Sequence, residues 1–274
     1  MRSGHPHRAE RQLERLVHNA TVNRNRIITE EQTALEDFFG ERVAVPDLPR
    51  WITDETIQYW REGIFHLHFL PKLALQEDRA WARWRDRPSK TFYKKIRGGQ
   101  LPSGADTLPG KWMLLDARNK PEKKTLWVTS RDMWLAKKMG FHPQRYFRVW
   151  DSQTHEQEYL LLELARKGFG SRFCLSQRDI ESMKPRIAEF LRLPPGACVQ
   201  LPRFIEYNYL GNAFYPQWAT TKTWEWFRDA MGDGQRLAGG SGSVGCIGWE
   251  PPDFWSTILT FRPVVELASH EPCD

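Results

Sequence analysis

The chain contains no run approaching the ~18 apolar residues of a membrane span, and its opening, "MRSGHPHRAERQLERL", lacks the apolar core of a secretory signal. Both absences point to a non-exported, cytoplasmic protein with no membrane span. Cysteine is scarce, with four in 274 residues, at Cys174, Cys198, Cys246 and Cys273. None falls in a C-x-x-C pair, which excludes a zinc knuckle and a thioredoxin-type motif, so free thiols in a reducing compartment are expected. The G-x-S-x-G nucleophile elbow, the G-x-x-x-x-G-K-[ST] phosphate loop and the H-E-x-x-H zinc helix are also missing. No cofactor and no metal site are expected. His66 and His68 in "FHLHF" would share one face of a strand, a geometry that metal sites use, yet no third ligand can be nominated and a structural role is the expectation.

Aromatic residues are plentiful, with 13 Trp among the 13% of Phe, Trp and Tyr, and hydrophobic residues make up 40% against 27% charged. That balance excludes wholesale disorder, and at this length roughly 70–75% of the unfolded surface can be buried. Net charge is +6, and its location is uneven. In "RAWARWRDRPSKTFYKKIR" (79–97) eight Lys or Arg face a single acid, Asp86, so this stretch carries +7 and the remainder −1. Two readings follow. Arg83, Arg85, Arg87, Lys94, Lys95 and Arg97, interleaved with Trp81, Trp84, Phe92 and Tyr93, could track phosphates and stack bases. Alternatively, 79–97 is an amphipathic helix that turns Trp81 and Trp84 inward and leaves its cations solvated.

Residues 1–100 read as a mainly helical, partly basic region. Leu13, Leu16 and Val17 repeat at helical spacing, Thr29 with Gln32 forms a capping box, and Thr53 opens a helix that ends near Gly63. "IFHLHFL" alternates like a strand. The Gly- and Pro-rich stretch 98–111 is the linker candidate. Beyond it "KWMLLDA", "KTLWVTS" and "YFRVW" read as strands. Ser130 and Gly140 bound one helix, Gly168 closes another, and Ser176 with Asp179 opens a third that contains Pro185. From Pro194 onward helical periodicity fades. Glu225 and Asp229, four apart, are expected as surface charges on a helical face.

"TWEWFRDAMGDGQRLAGGS" followed by "LTFRPVV" resembles the end of the formylglycine-generating-enzyme type of C-type lectin fold, through Trp224, Glu225, Trp226, Arg236, Gly239, Gly240, Ser241, Phe261 and Arg262. The wider region, with "LPGKWMLLDARNKP" and "IEYNYLGN", is similar to variable proteins of diversity-generating retroelements found in candidate-phylum bacteria and their mobile elements. The resemblance implies an α+β protein with a C-type-lectin-like domain over 108–267 and a long surface loop at 239–260 that displays a varied binding surface. In the family's enzymes cysteines or a histidine triad do the chemistry. Here Pro263 follows Arg262, and Cys246 lies among Val244, Gly245 and Ile247, so the expectation is a non-catalytic recognition protein. The loop supplies anchors Trp249, Phe254 and Trp255, with Ser241, Ser243, Ser256, Glu250 and Asp253 as polar contacts to an unknown protein or surface ligand. Nucleic-acid association through 79–97 is the alternative.

Overall fold

The structure is a computed structural model that describes residues 23–118, 126–127, 148–149, 176–254 and 259–267. The helical spacing of Leu13 and Leu16 and the helices bounded by Ser130, Gly140 and Gly168 lie outside those residues. Asn23 accepts the Arg26 amide and opens α1 (Arg24–Phe39), which stops at Gly40 in the left-handed conformation that lacks a Cβ penalty for glycine. The helix therefore begins before the expected capping box. Thr29 lies inside it, with its hydroxyl donating to the Asn25 carbonyl. Thr53 caps α2 (Asp54–Glu62), with Gly63 following as expected.

The remaining elements are β1 (Phe65–Leu70), α3 (Lys90–Arg97), β2 (Lys111–Asp116), β3 (Leu126–Trp127), β4 (Arg148–Val149), α4 (Gln177–Phe190), β5 (Val199–Gln200), α5 (Phe204–Ala213), a 3-10 turn (Pro216–Thr220), β6 (Trp224–Ala230), β7 (Arg236–Gly239), β8 (Ile247–Glu250), β9 (Leu259–Thr260) and β10 (Val264–Leu267). The α+β class holds. Ser176 and Asp179 form the capping box read from the sequence, and α4 runs on through Pro185. One sheet has the order β1-β2-β10-β5, a second β8-β7-β6-β9, and β3 pairs with β4. All described pairings are antiparallel except β6 with β9.

The stretch 98–111 is not a linker. β1 pairs across it with β2, from Phe65 opposite Asp116 to Leu70 opposite Lys111, and Leu101, Ala105 and Leu108 within it are buried. Its Gly and Pro mark turns inside one core, which joins Ile27 and Phe38 to Val264 and Leu267. The strand expected at "IFHLHFL" thus joins the first sheet beside β2, which lies beyond that stretch.

Helix α5, "FIEYNYLGNA", is buried on every side from Phe204 to Gly211. A helix with no solvent face has no amphipathic stripe, which is why no helical period shows after Pro194. Tyr207 stacks on Trp218, and Trp218 on Tyr215, with ring centroids 5.2 and 4.4 Å apart. His66 Nδ1 and His68 Nε2 both reach the Tyr215 hydroxyl, at 3.1 and 2.6 Å. His68 Nδ1 lies 2.8 Å from Glu31, whose second oxygen accepts the Phe69 amide. The two histidines thus share a strand face, as expected, and serve to tie α1 and the 3-10 turn to β1.

Glu225 and Asp229 correct another expectation. "WEWFRDA" is strand β6, not helix, and both acids are buried. Asp229 accepts the Phe204 amide at 2.6 Å, at the start of α5. Burial raises its pKa from the ordinary 3.8 to about 6, with Glu206 adding to the rise while the Phe204 amide, Arg203 and Arg228 oppose it. The native carboxyl therefore binds a proton over a window in which the unfolded chain has already lost it, so its contribution to stability declines as pH rises from about 4 to about 6. Glu266 acts oppositely: burial would raise its pKa, but hydrogen bonds and charge from Arg228 and Lys111 hold it below 4.5. Asp229→Asn should accordingly remove the decline between pH 4 and 6, leaving the variant gaining on the wild type as pH increases. Urea titrations at a series of pH values check this, and parallel curves for the two proteins would contradict it.

Candidate recognition surface

The segment expected as one long loop is partly strand. β8 occupies Ile247–Glu250 and pairs with β7, Leu237 opposite Trp249 and Arg236 opposite Glu250. Pairing is possible because close approach is built into the glycines. A Cβ on Gly239 would lie 2.2 Å from the Cys246 carbonyl, and one on Gly248 would lie 2.8 Å from the Trp224 ring. Gly240 takes φ +88°, and its amide donates to the Cys246 carbonyl at 3.0 Å. Of the wall residues, Trp226, Gly239, Gly240, Phe261 and Arg262 are buried, while Trp224 and Arg236 are half-buried.

The first half of the segment is fastened to the basic stretch. Ser243 Oγ donates to Asp86 Oδ1 and the Val244 amide to Asp86 Oδ2, both at 2.6 Å. The Ser89 amide donates to the Gly245 carbonyl at 3.0 Å. From α5, Asn208 and Asn212 both donate to the Asp86 carbonyl, at 2.8 and 2.9 Å. Asn212 also accepts the Asp86 amide, and Asn208 accepts from Trp84 Nε1. Ser243 is therefore a structural clamp and not a free ligand contact. Asp86, Asn208 and Asn212 were not singled out in the sequence. The one available signal was that Asp86 is the single acid among eight cations.

The second half faces solvent. Trp249 and Phe254, each 39% exposed, are the large hydrophobic side chains left exposed among the described residues. Asp253 is exposed and pairs with Arg178 at 3.3 Å, and the Gln177 amide donates to the Pro252 carbonyl, so this end leans on the start of α4. Ser241 and Glu250 are half-buried. Trp255 and Ser256 lie outside the described residues.

The basic stretch matches neither expectation fully. Only 90–97 is helical, yet Trp81, Trp84, Phe92 and Tyr93 are all buried, so none of its own rings is offered for stacking. Phe39 meets Trp81 edge-on, and Arg79 covers that indole at 3.9 Å. Arg83 pairs with Asp37 at 2.7 Å, Arg79 with Glu41 at 3.4 Å and Arg97 with Glu77 at 2.5 Å. Lys95 is buried, its ammonium 3.9 Å from the centre of the Trp249 ring. Arg85, Arg87, Lys90 and Lys94 are exposed and have no carboxylate partner among the described residues. The two regions nominated separately from sequence are thus in contact, through Asp86 and Ser89 with 243–245 and through Lys95 over Trp249. No protein-family model, curated protein or solved structure matches this chain. No helix among the described residues is long and apolar enough to cross a membrane.

Proposed function

We propose that the protein is a non-catalytic recognition protein that presents segment 247–254 on a C-type-lectin-like scaffold. The observation that carries this reading is the concentration of exposed aromatic surface in that segment, at Trp249 and Phe254. Monomeric proteins expose such rings at cost, and clustered aromatic anchors beside small polar residues are typical of binding surfaces. The scaffold reading is supported by the walls: Trp226 on β6 and Arg262 between β9 and β10 are buried, so exposed positions of the segment such as Trp249 and Phe254 can change without disturbing the core. Under retroelement-type diversification, the positions free to vary are Trp249, Glu250, Asp253 and Phe254. Ser243, which holds Asp86, is not among them.

The test has a physical arm and a genetic arm. Trp249→Ala and Phe254→Ala should each cost under about 1 kcal/mol of unfolding free energy, whereas Trp226→Ala should cost about 3–5 kcal/mol. Ser243→Ala should fall between, at about 1–2 kcal/mol, because it strips a donor from a partly buried carboxylate. Deep sequencing of the coding DNA across a cell population should then find substitutions concentrated at codons 249–254 and none at 224–240. Uniform variation, or losses at Trp249 equal to those at Trp226, would sink the display reading.

A further inference from the structure

We infer that this surface takes single-stranded nucleic acid, with the fixed cations of 85–95 tracking phosphates and the rings of Trp249 and Phe254 receiving bases. The inference rests on the recognition surface proposed above and on Trp249 and Phe254 as they stand in this chain; only the cations lie outside the segment that would vary.

Three observations combine. First, the rings of 79–97 are buried, so that stretch alone cannot stack anything; the exposed rings come from the other side of the Asp86 clamp. Second, Arg85, Arg87, Lys90 and Lys94, which are exposed and have no carboxylate partner among the described residues, occur on the stretch fastened to that segment. The Arg87 backbone packs against Gly245 so closely that a Cβ there would lie 1.9 Å from its carbonyl, and Lys94 adjoins Lys95, which covers Trp249. Arg85 lines a cleft of about 490 Å³ together with Gly211, Ala213, Ala219 and Val244. Third, two of the acids nearby are already engaged, Asp86 by Ser243 and Val244 and Asp253 by Arg178. A wall of unpaired cations beside exposed rings offers phosphates and π-faces together, which suits an unpaired strand better than a duplex whose bases are already stacked. An acidic protein segment would use the charges but has no general need of the rings.

Fluorescence anisotropy of the full chain with a labelled, mixed-sequence 20-nucleotide DNA strand tests this. With about four phosphates contacted, the slope of log affinity against log salt should be about −3, a loss of roughly 50-fold between 50 and 200 mM salt. Replacing Arg85, Arg87 and Lys94 together by Gln should flatten that slope by about 2. Trp249→Ala should weaken binding roughly 5- to 150-fold, and Trp249→Phe should restore most of it. Arg79→Gln, which removes a cation already paired with Glu41, should stay within about twofold of wild type. Absence of binding by a chain with unchanged thermal unfolding would overturn the proposal. So would preference for the duplex, full binding by Trp249→Ala, or equal binding of a 20-residue polyglutamate, which would assign an acidic protein partner instead. A chain that binds no DNA while its codons 249–254 vary between cells keeps the recognition surface and loses only this ligand.

Discussion

Replacing Arg262 by leucine is expected to lower the unfolding free energy by about 3–5 kcal/mol. Its guanidinium is 1% exposed and grips Glu225, itself fully buried, through Nε at 3.0 Å and Nη2 at 2.7 Å. Nη1 donates to the carbonyls of Asp116 and Arg118, which lie at the end of the first sheet. The planar group also stacks 3.8 Å from the Trp218 ring centre. One side chain therefore joins β6 of the second sheet, the end of β2 in the first, and the aromatic stack against α5. Burial alone would disfavour the charged guanidinium, but Glu225, followed by Asp116, keeps it charged. Removing it strands a carboxylate away from water. Glu225→Leu should cost a comparable amount by stranding the guanidinium, whereas the double Leu variant should lose clearly less than the two singles combined, since neither charge is then left uncompensated. Urea unfolding of the four proteins in a double-mutant cycle measures this. Simple additivity would mean that the pair acts independently and that the ionic bridge between sheets is not what holds Arg262 in place.

Gly245→Ala should destabilise by about 2–3 kcal/mol, at the upper end of what overpacking costs. An added Cβ would lie 1.9 Å from the Arg87 carbonyl oxygen, 2.8 Å from its carbon and 3.1 Å from Asp86 Oδ1. Two of those atoms are backbone, so the clash cannot be relieved by rotating a flexible side chain. The segments must separate, which would release the Ser89 amide from the Gly245 carbonyl and loosen Asp86 from Val244. Gly234→Ala provides the comparison: its φ is +84° and nothing lies within 4 Å of a Cβ, so only the strain of a left-handed residue remains, about 1–2 kcal/mol. If thermal unfolding showed equal losses, the contact between 86–89 and 243–245 would not be the clamp described. If the clamp is as described, Gly245→Ala should also weaken DNA binding by moving the cations away from Trp249.

The local signals were legible because they depend on a few adjacent residues. Thr53 and the Ser176–Asp179 box placed two helix starts, alternation in "FHLHFL" and "KWMLLD" placed β1 and β2, and the glycines and tryptophans around Trp224–Ser241 marked rigid walls. Composition likewise placed the excess charge on 79–97 and the aromatic anchors on the segment after Gly240. What the sequence left hidden were the features created by burial and long-range pairing. Helix α5 has no period because the chain surrounds it. Glu225 and Asp229 read as surface acids until Arg262 and the start of α5 are brought to them from 37 and 25 residues away. Most consequential, the basic stretch and the aromatic segment looked like rival sites. They meet because Asp86 accepts from Ser243 and Val244, and Asn208 donates to both Asp86 and Val244, across separations of 36 to 158 residues. Charge and ring content are properties of residues and can be read in order along the chain; which charges are already paired, and which rings still face water, is decided only when distant segments meet.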